Sequence, residues 1–173
     1  GSVTVSHLRF GPRPIRSTYL IRQATFVACH QFNFLDRMDV LSVAAPGATF
    51  LLNSPFGPDE VWANLPRPVQ QQVVEKGLRL FVIDAFRVAH EVGMGGRINT
   101  VMQTCFFVLS KVLPRDEAVS AIKYAIRKDY GVQGEEVITR NERAVDRALE
   151  EMHEVDVAGR AARGVPQPLP VPV

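Results

Sequence analysis

Cysteine is scarce: the 173-residue chain holds two, Cys29 and Cys105. They form no CxxC pair. A disulfide framework is therefore excluded, and so is an iron–sulfur cluster, which takes about four thiolates. No apolar run approaches the roughly 20 residues of a membrane helix, and no signal peptide opens the chain. The expectation is a cytoplasmic protein with buried thiols and no membrane partner. An excess of one charge is lacking too. Twenty Lys+Arg against 18 Asp+Glu leave +2, which argues against a nucleic-acid partner. His7, His30, His90 and His153 show no ligand spacing such as HExxH, so no metal site is expected. Ser54 lies in Asn-Ser-Pro and not in a GxSxG elbow, which removes the hydrolase reading. Cys29 and His30 are adjacent on a strand and would point to opposite faces, so they make a poor catalytic pair. No catalytic set emerges.

What is present is unevenly distributed. Residues 1–35 carry Arg9, Arg13, Arg16 and Arg22 and no acid, residues 36–157 carry a net −4, and residues 158–173 add Arg160 and Arg163 without an acid. That last stretch, AGRAARGVPQPLPVPV, alternates proline and cannot form a helix or a central strand. It reads as an extended linker to a following domain.

The folded part reads as strands at residues 3–10, 25–29, 49–52 and 78–83. Helices are expected at 35–45 (stopped by Pro46-Gly47), 69–76, 85–92, 99–113, 115–129 and 135–154, with a helical turn at 59–64. GPRP at 11–14 is a turn. Gly77 suits a left-handed helix stop, Gly131 ends the fifth long helix and Asn99 caps the fourth. Apolar strands alternating with helices imply an α/β fold: a Rossmann-like, mostly parallel sheet flanked by helices, with a helical C-terminal part. Ligands of such sheets bind beyond the carboxyl ends of the strands.

Two segments invite an anion. The first is Ser6-His7-Leu8-Arg9-Phe10-Gly11 with Arg13, Arg16, Ser17 and Thr18, where arginines and hydroxyls without an acid make either a phosphate cradle or a basic surface for an acidic partner. The second is Gly93-Met94-Gly95-Gly96-Arg97-Ile98-Asn99 before a helix. It lacks GxGxxG spacing and follows a helix, so a tight turn is the better reading.

Longer blocks are more specific. VTVSHLRFGPRPIRSTYLI, FVACHQFNFLDRMDVL, FLLNSPF, LRLFVIDAFRVAHEVGMGGRINTVMQTCFFVLSKVLP and AIRKDYG resemble the gamma domain of pyruvate:ferredoxin (flavodoxin) oxidoreductase, in the single-chain bacterial form tied to nitrogen fixation. The resemblance covers residues 3–155. It implies a large cytoplasmic enzyme that converts pyruvate to acetyl-CoA and carbon dioxide and reduces ferredoxin or flavodoxin. It also implies thiamine diphosphate and [4Fe–4S] clusters held by other domains of the same chain, and a homo-oligomer. In that family the gamma domain helps to bind coenzyme A, which places Ser6, His7, Arg9, Gly11, Arg16, Asn53 and Ser54 along the coenzyme A site. A first strand and Gly-rich turn precede these blocks in the family, so residues 1–157 read as a partial gamma domain, inactive alone. Two other readings remain open: a purely structural interaction domain, and the gamma part of an enzyme for another 2-oxoacid.

Overall fold

A computed structural model describes residues 4–7 and 23–162. Within them, four strands form one sheet in the order β1 (Ala24–Cys29), β2 (Ala44–Asn53), β3 (Arg79–Ile83) and β4 (His153–Glu154). The first three are parallel, with Phe50 opposite Val27 and Leu80; β4 runs antiparallel to β3. Successive side chains of a strand point to opposite faces, and the apolar run of β2 and β3 supplies both. Phe50, Leu52, Leu80 and Val82 face one way, with Cys29 of β1; Leu51, Phe81 and Ile83 face the other.

The first face is covered by a short 3-10 turn, Phe32–Asp36, and by α1 (Val61–Asn64) and α2 (Arg67–Glu75). The second is covered by α3 (Ala85–Glu91), α4 (Asn99–Leu109) and α6 (Glu135–Glu151). α5 (Arg115–Tyr130) packs beside α6, where Ile126 meets Ile138 and Val145 in a satellite core. α7 (Val157–Ala162) returns to the first face. Burying each large apolar side chain contributes about 1.5–3 kcal/mol, and both faces are filled, as a parallel sheet requires.

The left-handed glycine stop expected at residue 77 is observed. Gly77 has φ +61°; its N–H donates to Val74 O, and Leu78 N–H reaches back to Val73 O. This paired closure uses the last free carbonyls of α2. Gly93, at φ +81°, repeats it for α3, with Gly93 N–H to His90 O and Met94 N–H to Ala89 O.

Other expectations fail for tertiary reasons. No helix spans 35–45. The chain makes the 3-10 turn and then enters β2 at Ala44, which carries Pro46-Gly47 as a bulge inside the strand. Between the pairs Ala24–Ala44 and Phe26–Thr49, β2 uses three more residues than β1. The bulge is held by the end of α2: Gly47 N–H donates to Lys76 O at 2.8 Å, and Lys76 Nζ donates to Leu41 O at 2.7 Å. α4 stops at Leu109, not residue 113. Asn99 is its first residue, and the preceding Ile98 caps without a side-chain bond. Gly131 caps α5 after Tyr130, as expected, but with right-handed φ −56°; it opens a 3-10 turn, Gly131–Gln133, and the residue with positive φ is Gly134 at +99°. α6 ends at Glu151 and gives way to β4, a strand not anticipated. Residues 4–7 lie in no helix or strand. The rest of the expected strand at 3–10, the turn at 11–14 and the proline stretch past 162 lie outside the described residues. The first residues of the expected linker are helical, in α7.

Candidate functional site at the carboxyl edge of the sheet

The ends of β1, β2 and β3 are tied together by one side chain. Asn53, 3% exposed, donates from Nδ2 to His30 O at 3.0 Å and accepts at Oδ1 from Ala85 N–H at 2.9 Å. It thereby joins the exit of β1 to the first turn of α3. Ser54, also buried, donates from N–H to Ile83 O at 2.9 Å. Its hydroxyl donates to Phe56 O and accepts from Phe56 N–H, both at 2.9 Å. The two polar residues expected on this edge are thus brought together, and both spend their hydrogen bonds inside the protein.

The neighbouring groups are similarly committed. Asp84 accepts the Arg87 N–H at 3.1 Å and puts a carboxylate at the start of α3, a seven-residue helix. An anion would meet a carboxylate there and spent donors. The Cys29 thiol donates to Gln31 O at 3.1 Å, and burial pushes its pKa up. His30 is exposed over much of its surface, yet desolvation of the ring lowers its pKa, so it is neutral at pH 7.

A crevice of about 160 Å³ opens at the end of β3. The turn Pro55-Phe56-Gly57-Pro58 walls one side, and Asp84, Arg87, Glu151 and His153 wall the other. Arg87 anchors a charge network: Nη2 meets Glu151 at 2.6 Å, Nη1 meets Glu91 at 3.2 Å and Nε meets Asp84 at 3.9 Å. Arg147 of α6 pairs with Glu91 and Glu151, both at 2.9 Å, and with Glu150 at 2.6 Å. Sequence reasoning missed this network, although Arg87–Glu91 and Arg147–Glu151 each have the four-residue spacing that brings side chains together on a helix.

The network has a pH signature. The Arg87 hydrogen bond, ahead of the Coulombic attraction of Arg87 and Arg147, holds the Glu151 carboxyl below its ordinary 4.5. A depressed carboxyl pKa contributes stability that is present above the unfolded-state value and lost as pH falls through the folded one. Glu151→Gln is therefore expected to flatten the loss of stability below about pH 4.5, read from urea midpoints between neutral and acid pH. An unchanged acid slope would show the pairs to be solvated and energetically idle.

Of the remaining candidates, Ser6 and His7 are exposed. Arg9, Gly11 and Arg16 lie outside the described residues. The glycine segment at 93–99 closes α3 as above, and Arg97 Nε donates to Met94 O at 3.2 Å, so it serves as a tight turn. A second, more open cleft of about 470 Å³ lies between the end of α3 and the start of α6, with Glu91, Glu135, Glu136, Arg140 and Arg143 on its walls. Cys29 and Cys105 are both buried, on opposite faces of the sheet, and burial drives Cys105 up to about 12. They cannot share a cluster. Among the described residues no group of three or more His, Cys, Asp or Glu could hold a metal ion, and no helix is long and apolar enough to cross a membrane.

Comparison with known proteins places this architecture. The model of the pyruvate ferredoxin/flavodoxin oxidoreductase family matches residues 1–151. The chain is 59% identical over 159 residues to a pyruvate-flavodoxin oxidoreductase of Rhodospirillum rubrum, covering 92% of this chain and 13% of that protein. It is 45% identical over 155 residues to the pyruvate:ferredoxin oxidoreductase of Moorella thermoacetica, covering 90% of this chain and 13% of that one. Among solved structures, the pyruvate oxidoreductase subunit PORC of Thermotoga maritima superposes with a TM-score of 0.59 at 20% identity, over 78% of this chain and 66% of the other. That likeness is one of fold. The chain spans 13% of the length of these curated relatives.

Proposed function

The chain belongs to the pyruvate ferredoxin/flavodoxin oxidoreductase family, and from that premise we propose that it is part of the gamma domain of an enzyme that oxidatively decarboxylates pyruvate to acetyl-CoA. In this reading it contributes to coenzyme A binding and assembly and holds no redox centre. The observation that carries it is the family match over residues 1–151, whose opening stretch bears four arginines and no acid. Coenzyme A carries phosphates, and a planar guanidinium binds phosphate by paired, charge-assisted hydrogen bonds. The sheet edge supports a division of labour. Its own donors are spent and its charges include the half-buried Asp84 and Glu151, so the phosphates fall to Arg9 and Arg16, flanked by Ser6, His7 and Gly11. Asn53 and Ser54 act from beneath, by fixing the strand ends and the Pro55–Pro58 turn. Thiamine diphosphate and the iron–sulfur clusters, which supply the carbanion and electron-transfer chemistry, are held by other domains of the chain. Ferredoxin or flavodoxin is the electron acceptor of the whole homo-oligomeric enzyme.

The test is titration of coenzyme A, with and without its 3′-phosphate, onto the full-length enzyme and its Arg9→Ala variant. Loss of one charge-assisted phosphate contact is expected to weaken binding about tenfold or more. Unchanged affinity in Arg9→Ala would remove that residue from the site. No binding by the intact enzyme would overturn the reading altogether.

A further inference from the structure

The turn that walls the crevice has its carbonyls occupied one after another. Phe56 O accepts from the Ser54 hydroxyl, and Gly57 O accepts from Glu60 N–H at 3.1 Å and Val61 N–H at 2.9 Å. The next two carbonyls turn to a distant partner: Arg160 Nη2 donates to Asp59 O at 3.0 Å and to Pro58 O at 3.5 Å, across 101 and 102 residues of chain. Arg160 stands on α7, whose first turn is closed by Asp156 accepting Gly159 N–H at 2.9 Å and whose Val157 packs on the core beneath. The Arg160 Nε is buried without a hydrogen-bond partner. Withholding a guanidinium N–H from water is unfavourable, a cost that the two bonds of Nη2 have to offset.

We propose that Arg160 is a positioning residue. It ties α7 to the Pro58–Asp59 end of the turn that walls the crevice, so that the placement of α7 sets the shape of the crevice. Three observations converge on it: the grip on the carbonyls of Pro58 and Asp59, the closed first turn of α7, and the place of those carbonyls at the end of the one wall of the crevice that is a loop. The other wall is built on β3, α3 and α6 and is braced by the Arg87 and Arg147 pairs. A shift of α7 would therefore move the loop wall and leave the braced wall in place. The effect on ligand binding rests on the coenzyme A reading; the tether does not.

Amide hydrogen exchange followed peptide by peptide in the full-length enzyme tests the tether, with Arg160→Ala and Arg160→Lys beside the wild type. In Arg160→Ala the amides of residues 55–60 are expected to exchange about tenfold faster, while those of 24–29 and 79–83 keep their rates. The ammonium introduced by Arg160→Lys can still donate to both carbonyls and should restore most of the protection. An unchanged rate at 55–60 overturns the proposal, and so does an equal rise in all peptides, which is a general loss of stability. The KM for coenzyme A is measured alongside and is expected to rise about threefold with kcat unchanged, as for a lost binding contribution. Faster exchange at 55–60 with an unchanged KM upholds the tether and counts against the coenzyme A reading.

Discussion

Replacement of Asn53 by alanine is expected to lower the unfolding free energy by about 3 kcal/mol, or the melting temperature by roughly 6–12 °C in a chain of this size. Asn53 makes two hydrogen bonds, one to His30 O and one from Ala85 N–H. Their loss is not symmetric. His30 is exposed, so water can reach its carbonyl; Ala85 is fully buried, and its N–H would be left without an acceptor. Most of the cost comes from that orphaned donor. Asn53→Asp sharpens the test. The carboxylate still accepts from Ala85 but turns an oxygen toward the His30 carbonyl in a buried place, where charge is disfavoured. Its folded pKa is raised, so protonation restores a donor, and the deficit relative to wild type should shrink as pH falls below about 6. Urea unfolding at two pH values measures both effects. A loss under 1 kcal/mol for Asn53→Ala would mean that water fills the clasp and that the edge is not organised by this side chain.

Phe50→Ala is expected to cost about 3–5 kcal/mol, read as a lower urea midpoint with an unchanged slope. Phe50 is fully buried at the centre of β2, facing Val61, Trp62, Val69 and Val73 from α1 and α2. The site cannot close up after truncation, because the β2 backbone is paired on both sides, to Val27 and to Leu80. The cavity term is then retained in full, which places the cost at the upper end of the range. Phe50→Leu keeps most of the volume and should cost about 1–1.5 kcal/mol. Similar costs for the two variants would show that the helices relax onto the sheet.

The parts of this protein that were legible in its residues are those governed by local rules. FVAC, FLL and LFVI are apolar at consecutive positions, as in the strands of a sheet covered on both faces. Gly77 adopts positive φ and announces the stop of α2 without reference to anything far away. The amphipathic spacing of 135–151 placed α6 but not its end. Met152 continues the apolar stripe, yet β3 offers an open edge, and Val155 N–H bonds Leu80 O instead. Pro46-Gly47 reads as a break and proves to be a bulge, because the end of α2 supplies partners for the bulged chain. Asn53 reads from the sequence as an edge residue, while its clasp between His30 O and Ala85 N–H exists only through packing.

The sequence by itself determined the layered α/β class, the stop of α2 at Gly77, the family and the concentration of positive charge in residues 1–35. These follow from side-chain period, backbone sterics and composition, all of which are properties of a few neighbouring residues. The tertiary structure alone decided which polar groups face inward and which elements clasp one another. Asn53 finds its partners 23 and 32 residues away, Arg87 finds Glu151 64 residues away, and Arg160 finds the crevice wall across about a hundred. A hydrogen bond is directional and short in range, so such pairings exist only once packing has fixed both partners.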